Sequence, residues 1–304
     1  MFKITKRGSV AASLAALALT ATLTGCAADS AEKPADEAAS KTVTLGVVGA
    51  SDAYWQTFVD AAAEEGITVE LTDFTDYNQP NPAVSEGEID LNQFQHIVYL
   101  ADYNVNNDDD LVPIGATAIY PLAVFSDKYD SVKDIPEGGV VAIPQDESNR
   151  ARALLVLQSA GLLTLKDGGT IFSTPDDIDA SKSKVTVQEF DASFVATALP
   201  DVDAGVVNND FVTKSGLDFK DAIALDDPED PNALPYVNIF ATRAADAENE
   251  TYLKLVEIYQ TNPEVQAGVL ENSGGTAVLL QTPVKDLKAS LAKVEADTKK
   301  QLGK

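Results

Sequence analysis

Asn149 and Arg152 are the first residues whose types and spacing suggest chemistry. They lie three apart on one face at the start of an expected helix, just after the turn Pro144-Gln145-Asp146-Glu147. An Arg fork beside a helix N-terminus holds a carboxylate in two parallel hydrogen bonds. The same position suits a solvent-facing Arg paired with a surface acid, and spacing alone does not choose between the two. Asn208 closes one apolar run and Asn238 sits inside another. A buried amide there must find partners, since an unsatisfied one costs about 1–3 kcal/mol. Ligand or neighbouring backbone could supply them. Tyr77, Phe94, His96 and Tyr99 gather rings that fit either a pocket wall or a core. His96 is the only histidine, so any Ser-His-Asp mechanism must use it, and no serine near it in sequence is marked as a nucleophile. A surface hydrolase with His96 as base is therefore the remote alternative. No nucleophile elbow, His-Glu-x-x-His helix, phosphate loop or dinucleotide fingerprint occurs. One His and one Cys build neither a multi-His metal site nor an internal disulfide, and no cofactor is expected.

The elements that must position these residues alternate between two periodicities. Strands are expected at Thr42–Val48, Thr68–Phe74, Val140–Ile143, Val185–Phe190, Ala204–Val207 and Tyr236–Thr242. Helices are expected at Tyr54–Glu65, from Asn81-Pro82 onward, and at Ser148–Ala160, Ala192–Leu199, Glu250–Gln260, Pro263–Asn272 and Lys285–Leu302. Such alternation argues for mainly parallel sheets flanked by helices, with ligands at the carboxyl ends of strands. Asn106–Asp110 and Asp226–Pro231 read as exposed loops. The acids at Asp108–Asp110 lack the alternate spacing and glycine of a calcium loop. Trp55 reads as core.

The first 25 residues carry Lys3, Lys6 and Arg7, then an apolar run from Val10 to Leu23, then Thr24-Gly25-Cys26. The run is too short to span about 30 Å of hydrocarbon and reads as a cleavable secretory signal. Leu23-Thr24-Gly25-Cys26 resembles a lipobox, which implies cleavage before Cys26, acylation there and a lipid-anchored, extracytoplasmic location. Residues 26–41 hold no large apolar side chain and read as a flexible tether.

The 304 residues include 22 Lys and Arg against 48 Asp and Glu, a formal net charge of −26. Loss of residues 1–25 removes three basic residues and no acid, leaving 19 basic against 48 acidic, or −29. Nucleic acid is excluded as a partner, because its binding rests on Lys and Arg neutralising phosphates. A hydrophobic content of 45% marks a globular chain long enough for about two cores.

Four ordered segments resemble the motifs of the methionine-binding lipoproteins of ABC importers, the NlpA/MetQ-type family. They are Asp76-Tyr77-Asn78-Gln79-Pro80-Asn81, Asp90-Leu91-Asn92-Gln93-Phe94-Gln95-His96, the run Ile143–Leu155, and Pro235-Tyr236-Val237-Asn238. The resemblance covers the chain from about residue 42 to its end. It implies an α/β, two-lobed periplasmic-binding-protein-like (type II) fold with the ligand in the interlobe cleft. Lobe one would be 42–123 plus 240–304 and lobe two 124–239, with crossovers near Phe125 and Phe240. It also implies that the protein captures an amino acid, methionine above all, and delivers it to a permease driven by an ATPase. Arg152 would hold the ligand carboxylate with Asn149 in support, Asn208 and Asn238 would meet the ammonium or carboxylate, and Tyr77, Phe94, His96 and Tyr99 would wall the thioether. Aromatic contacts with sulfur are worth about 0.3–1.5 kcal/mol each. Two segments depart from the family pattern: His96-Ile97-Val98-Tyr99 lacks the usual Pro before Tyr, and Tyr120-Pro121-Leu122 replaces an acidic residue, Pro and Met. Both bear on the side-chain end of the pocket, so another apolar amino acid or a short peptide is the nearer alternative.

Overall fold

The computed structural model describes residues 41–228 and 233–304. The leader 1–25, Cys26 and the tether up to residue 40 lie outside the described residues, as do positions 229–232 of the expected acidic loop. The elements run β1 (Lys41–Val48), α1 (Ala53–Glu64), β2 (Ile67–Phe74), α2 (Pro80–Ser85), β3 (Leu91–His96), α3 (Ile97–Asn107), β4 (Val112–Ala116), β5 (Ala118–Ile119) and β6 (Ala123–Phe125). They continue with β7 (Gly139–Pro144), α4 (Glu147–Ser159), β8 (Val185–Phe190), β9 (Ala204–Val207), α5 (Asn209–Val212) and β10 (Ala224–Leu225). The chain closes with β11 (Asn238–Thr242), α6 (Glu250–Thr261), α7 (Pro263–Asn272), β12 (Val278–Leu279) and α8 (Val284–Leu302).

Two five-stranded sheets organise these elements, ordered β2-β1-β3-β11-β4 and β10-β6-β9-β7-β8. Each is mixed, with one reversed strand. β11 runs antiparallel to β3 and β4, and β6 runs antiparallel to β9 and β10. The reversed strands are where the chain passes between sheets: β6 carries Phe125 into the second sheet and β11 carries Phe240 back into the first. β5 and β12 form a separate two-stranded ribbon.

The cores follow the sheets. Val43, Leu45 and Val47 of β1 face Trp55 and Phe58 of α1 and Tyr259 of α6, and the Trp55 and Phe58 rings meet edge to face at 5.7 Å. Gly115 in β4 lies against Val256 so closely that an added methyl would collide with its side chain, which lets α6 sit down on the sheet. A second cluster joins α3 and α8 through Val98, Leu100, Leu287 and Leu291. In the other sheet, Val141 and Ile143 of β7 pack with Leu154 and Leu157 of α4. Among the described residues no helix is long and apolar enough to cross a membrane.

Several expectations need correcting. The helix expected at Ala192–Leu199 is instead two short 3-10 turns, Ala192–Phe194 and Ala196–Ala198. Asn106 and Asn107 end α3 rather than sit in a loop, and Asp108 closes the helix in the left-handed region at φ 58°. Tyr236 lies in a 3-10 turn, so β11 begins only at Asn238. β1 already includes Lys41, the last residue assigned to the tether.

Candidate ligand-binding site

All eight residues singled out for ligand contact, Tyr77, Phe94, His96, Tyr99, Asn149, Arg152, Asn208 and Asn238, line one cavity between the two sheets. Its volume is about 20 Å³, room for roughly one water.

Strand ends and helix starts explain the convergence. β7 and β9 are parallel neighbours, so the turns that follow them, into α4 and α5, emerge at the same sheet edge. Asp146 caps α4, its Oδ1 accepting from the Asn149 N–H at 3.0 Å and from Asn149 Nδ2 at 2.8 Å. That cap orients the Asn149 side chain. Asn149 Oδ1 in turn accepts from Asn208 Nδ2 at 2.9 Å. On the opposite side, β11 runs antiparallel to β3, so its first residue, Asn238, pairs with the last of β3, His96.

His96 joins the two sides. Its Nδ1 accepts the Tyr99 backbone N–H at 3.2 Å, so Nε2 carries the proton and donates to Asn149 Oδ1 at 3.3 Å. Burial, reinforced by the nearby Arg152 charge, pushes the imidazole down to about 3, and the ring is neutral at physiological pH. The aromatic wall is tight: Tyr77 and Phe94 lie 5.8 Å apart, Phe94 and Tyr99 5.6 Å. The Tyr99 hydroxyl donates to the Tyr77 carbonyl, and the Tyr77 hydroxyl crosses to the second sheet to donate to Asp210 Oδ2, each at 2.8 Å. Burial, first of all, pushes the Asp210 carboxyl up to about 7.

Arg152 is 5% exposed and so is not a surface cation, although it is paired with an acid. Its Nε donates to Asp226 Oδ2 at 2.7 Å, its Nη2 to the Tyr120 carbonyl at 2.8 Å, and its guanidinium carbon lies 4.6 Å from the centre of the Tyr236 ring. Tyr236 also meets His96 edge to face at 5.4 Å. The Asn208 Oδ1 atom is buried without a hydrogen-bond partner. An orphaned acceptor next to a guanidinium and aromatic rings fits a zwitterion: cation at the acceptor, carboxylate at the Arg, apolar tail at the rings.

Of the departures from the family pattern, Ile97-Val98 lies outside the cavity lining and Tyr120-Pro121-Leu122 within it. Ile97 and Val98 are fully buried in the α3–α8 cluster. Tyr120 and Leu122 both border the cavity, but the Tyr120 hydroxyl is 3.4 Å from that of Tyr259 in the first core, and Leu122 packs in the cluster of β7 and α4. The Tyr120–Leu122 segment serves the site through backbone: the Tyr120 carbonyl takes Arg152, and the Leu122 N–H donates to Asp226 Oδ1 at 2.7 Å. Sequence reasoning missed Asp146, Asp226 and Tyr236 as supports. Asp146 and Tyr236 stand inside the quoted motifs; Asp226 had no local signal, being 74 positions from its partner.

The model of the NlpA lipoprotein family matches residues 43–279. A Haemophilus influenzae protein named "Probable D-methionine-binding lipoprotein MetQ" is 36% identical over 257 residues, covering 83% of this chain and 92% of its own length. The substrate-binding protein of a methionine transporter from Streptococcus pneumoniae superposes with a TM-score of 0.72 at 36% identity, over 79% of this chain and 95% of that one. A Burkholderia cenocepacia nutrient-binding protein solved bound to methionine gives 0.72 at 36% identity, over 78% and 99%. Fold, motif order and these likenesses agree, and the chain belongs to the NlpA lipoprotein family.

Proposed function

We propose that this chain is the substrate-binding protein of an ABC importer and captures methionine between its two sheets. The observation that carries the reading is the cavity itself: one buried Arg, one orphaned amide oxygen and a ring wall converge from both sheets. A zwitterion with an apolar, polarizable tail satisfies all three. A micromolar dissociation constant requires about −8 kcal/mol, within reach of an Arg–carboxylate pair, amide hydrogen bonds and an enclosed tail. Arg152 would take the carboxylate, Asn149, Asn208 and Asn238 the polar groups around it, and Tyr77, Phe94, His96 and Tyr99 the side chain.

The sheets would act as two lobes, the chain passing from one to the other at β6 and back at β11, and would close by a hinge at the crossovers near Phe125 and Phe240. A ligand touching both would shift the population toward the closed state. Cys26 would carry acyl chains after removal of residues 1–25, holding the protein on the outer face of the membrane beside a permease and its ATPase. The role is binding rather than catalysis: His96 is held neutral and hydrogen-bonded to Tyr99 and Asn149, which suits a wall better than a general base. A thermal-shift panel of the common amino acids tests the reading. Methionine should raise the melting temperature most; a panel in which no amino acid raises it overturns the proposal.

A further inference from the structure

Arg152 is held on two sides before any ligand arrives. Asp226 takes Nε at 2.7 Å and the Tyr120 carbonyl takes Nη2 at 2.8 Å. The other Asp226 oxygen accepts the Leu122 N–H at 2.7 Å, and the Asp226 N–H donates to the Leu122 carbonyl at 3.3 Å. One carboxylate thus ties the guanidinium to the segment that leads into β6. With Nε committed, a ligand carboxylate taken in two parallel bonds must use the Nη1–Nη2 edge. Arg152 Cζ lies 4.6 Å from the centre of the Tyr236 ring and the Tyr120 carbonyl holds Nη2, so what Asp226 fixes is the Nε edge of the guanidinium.

We propose that Asp226 is a positioning residue for ligand capture, fixing the Arg152 guanidinium so that its Nη1–Nη2 edge faces the ligand carboxylate. The proposal rests on the binding function above. It runs against the simplest electrostatic expectation, in which an acid paired with the binding Arg competes with an anionic ligand and its removal tightens binding.

The test compares methionine with methioninol, its analogue lacking the carboxylate, by calorimetry on the full chain and on Asp226→Ala and Asp226→Asn. The two donors face different Asp226 oxygens, and in Asn one of those positions becomes an NH2 group, so either Arg152 Nε or the Leu122 N–H is left facing a donor. Loss of one charge-assisted arrangement predicts methionine affinity weaker by about tenfold or more in both variants, with methioninol affinity unchanged. The ratio of the two affinities therefore collapses. Tighter methionine binding, or parallel weakening of both compounds, overturns the proposal. In parallel, the Arg152 Nε–H signal of the ligand-free protein should exchange slowly by nitrogen-15 NMR and lose that protection in Asp226→Asn; unchanged protection also overturns it. Failure of the unmutated chain to bind methionine would instead count against the binding function, and the NMR comparison would still decide whether Asp226 holds Arg152.

Discussion

Two buried polar clusters, which meet in sequence only where His96 follows Gln95, do opposite things. The first is Asn81, Asn92 and Gln95. Asn81 Nδ2 donates to Gln95 Oε1 at 2.8 Å, while Asn81 Oδ1 accepts from Asn92 at 2.9 Å and from Gln95 at 2.6 Å. Asn92 Nδ2 also reaches the Pro80 carbonyl at 3.2 Å. All three belong to the first sheet or to α2 beside it, and they satisfy one another. The second is His96, Asn149, Asn208 and Arg152, drawn from both sheets and left with an orphaned oxygen on Asn208. A closed amide network rigidifies its own half of the molecule, whereas an incomplete one spanning two halves is poised to be completed by something else. Asn81, Asn92 and Gln95 sit in the motifs that mark the family just as His96, Asn149 and Arg152 do, so motif membership alone does not identify a binding residue.

Substitution should separate the clusters, and the largest effect belongs to Arg152→Ala. Removing two charge-assisted bonds to a ligand carboxylate weakens methionine binding by about a hundredfold or more, while circular dichroism reports an unchanged fold. The reciprocal case is Asn81→Ala, which strands donors on Asn92 and Gln95. It should cost about 2–3 kcal/mol in denaturant unfolding with methionine affinity changed by less than about threefold by the same energetic scale. If Asn81→Ala abolished binding at unchanged stability, the contrast between the clusters would be broken. Asn208→Ala is expected to weaken methionine by roughly tenfold at a stability cost of about 1 kcal/mol, because its oxygen has no partner to lose and only the bond from Nδ2 to Asn149 Oδ1 goes.

A smaller effect sharpens how the halves face each other. Asp102 of α3 is opposed by Glu147 and Asp146 at the start of α4, with Arg150 of α4 nearby and Thr298 of α8 donating to it. Burial, then those two acids, push its carboxyl up to about 7. Such a group binds its proton more tightly folded than unfolded, so stability is greatest at acid pH and falls as pH rises from the ordinary carboxylate range through about 7. The melting temperature should drop between pH 5 and pH 8, and Asp102→Asn should reduce that drop by about 2–4 °C.

Much of the fold was legible because its helices carry long, capped periodic patterns. α4 shows why: the expected Ser148–Ala160 agrees with Glu147–Ser159 to within a residue and puts Asn149 and Arg152 on one face, although the sequence places its Asp146 cap in the preceding turn. The 192–199 stretch misled, since its apolar spacing is helical but its chain only turns twice in 3-10 form before reaching β9. The grouping of the eight site residues rested on the family resemblance rather than on local pattern, six of them standing in the quoted motifs and Tyr99 and Asn208 outside them. The antiparallel pairing that sets Asn238 beside His96 is a property of topology. Asp226 was illegible for the same reason: its role depends on a contact with Arg152 across 74 positions, inside a stretch whose prolines and acids suggested only an exposed loop.

The central claim, that the cavity between the sheets takes up methionine, is tested most directly by titrating the full chain, stripped of copurifying ligand by unfolding and refolding, with L- and D-methionine in a calorimeter. The account predicts one site per chain, a dissociation constant of about micromolar or tighter for at least one enantiomer, and no measurable heat for Arg152→Ala. Absence of binding to either enantiomer, or full binding by Arg152→Ala, would contradict it.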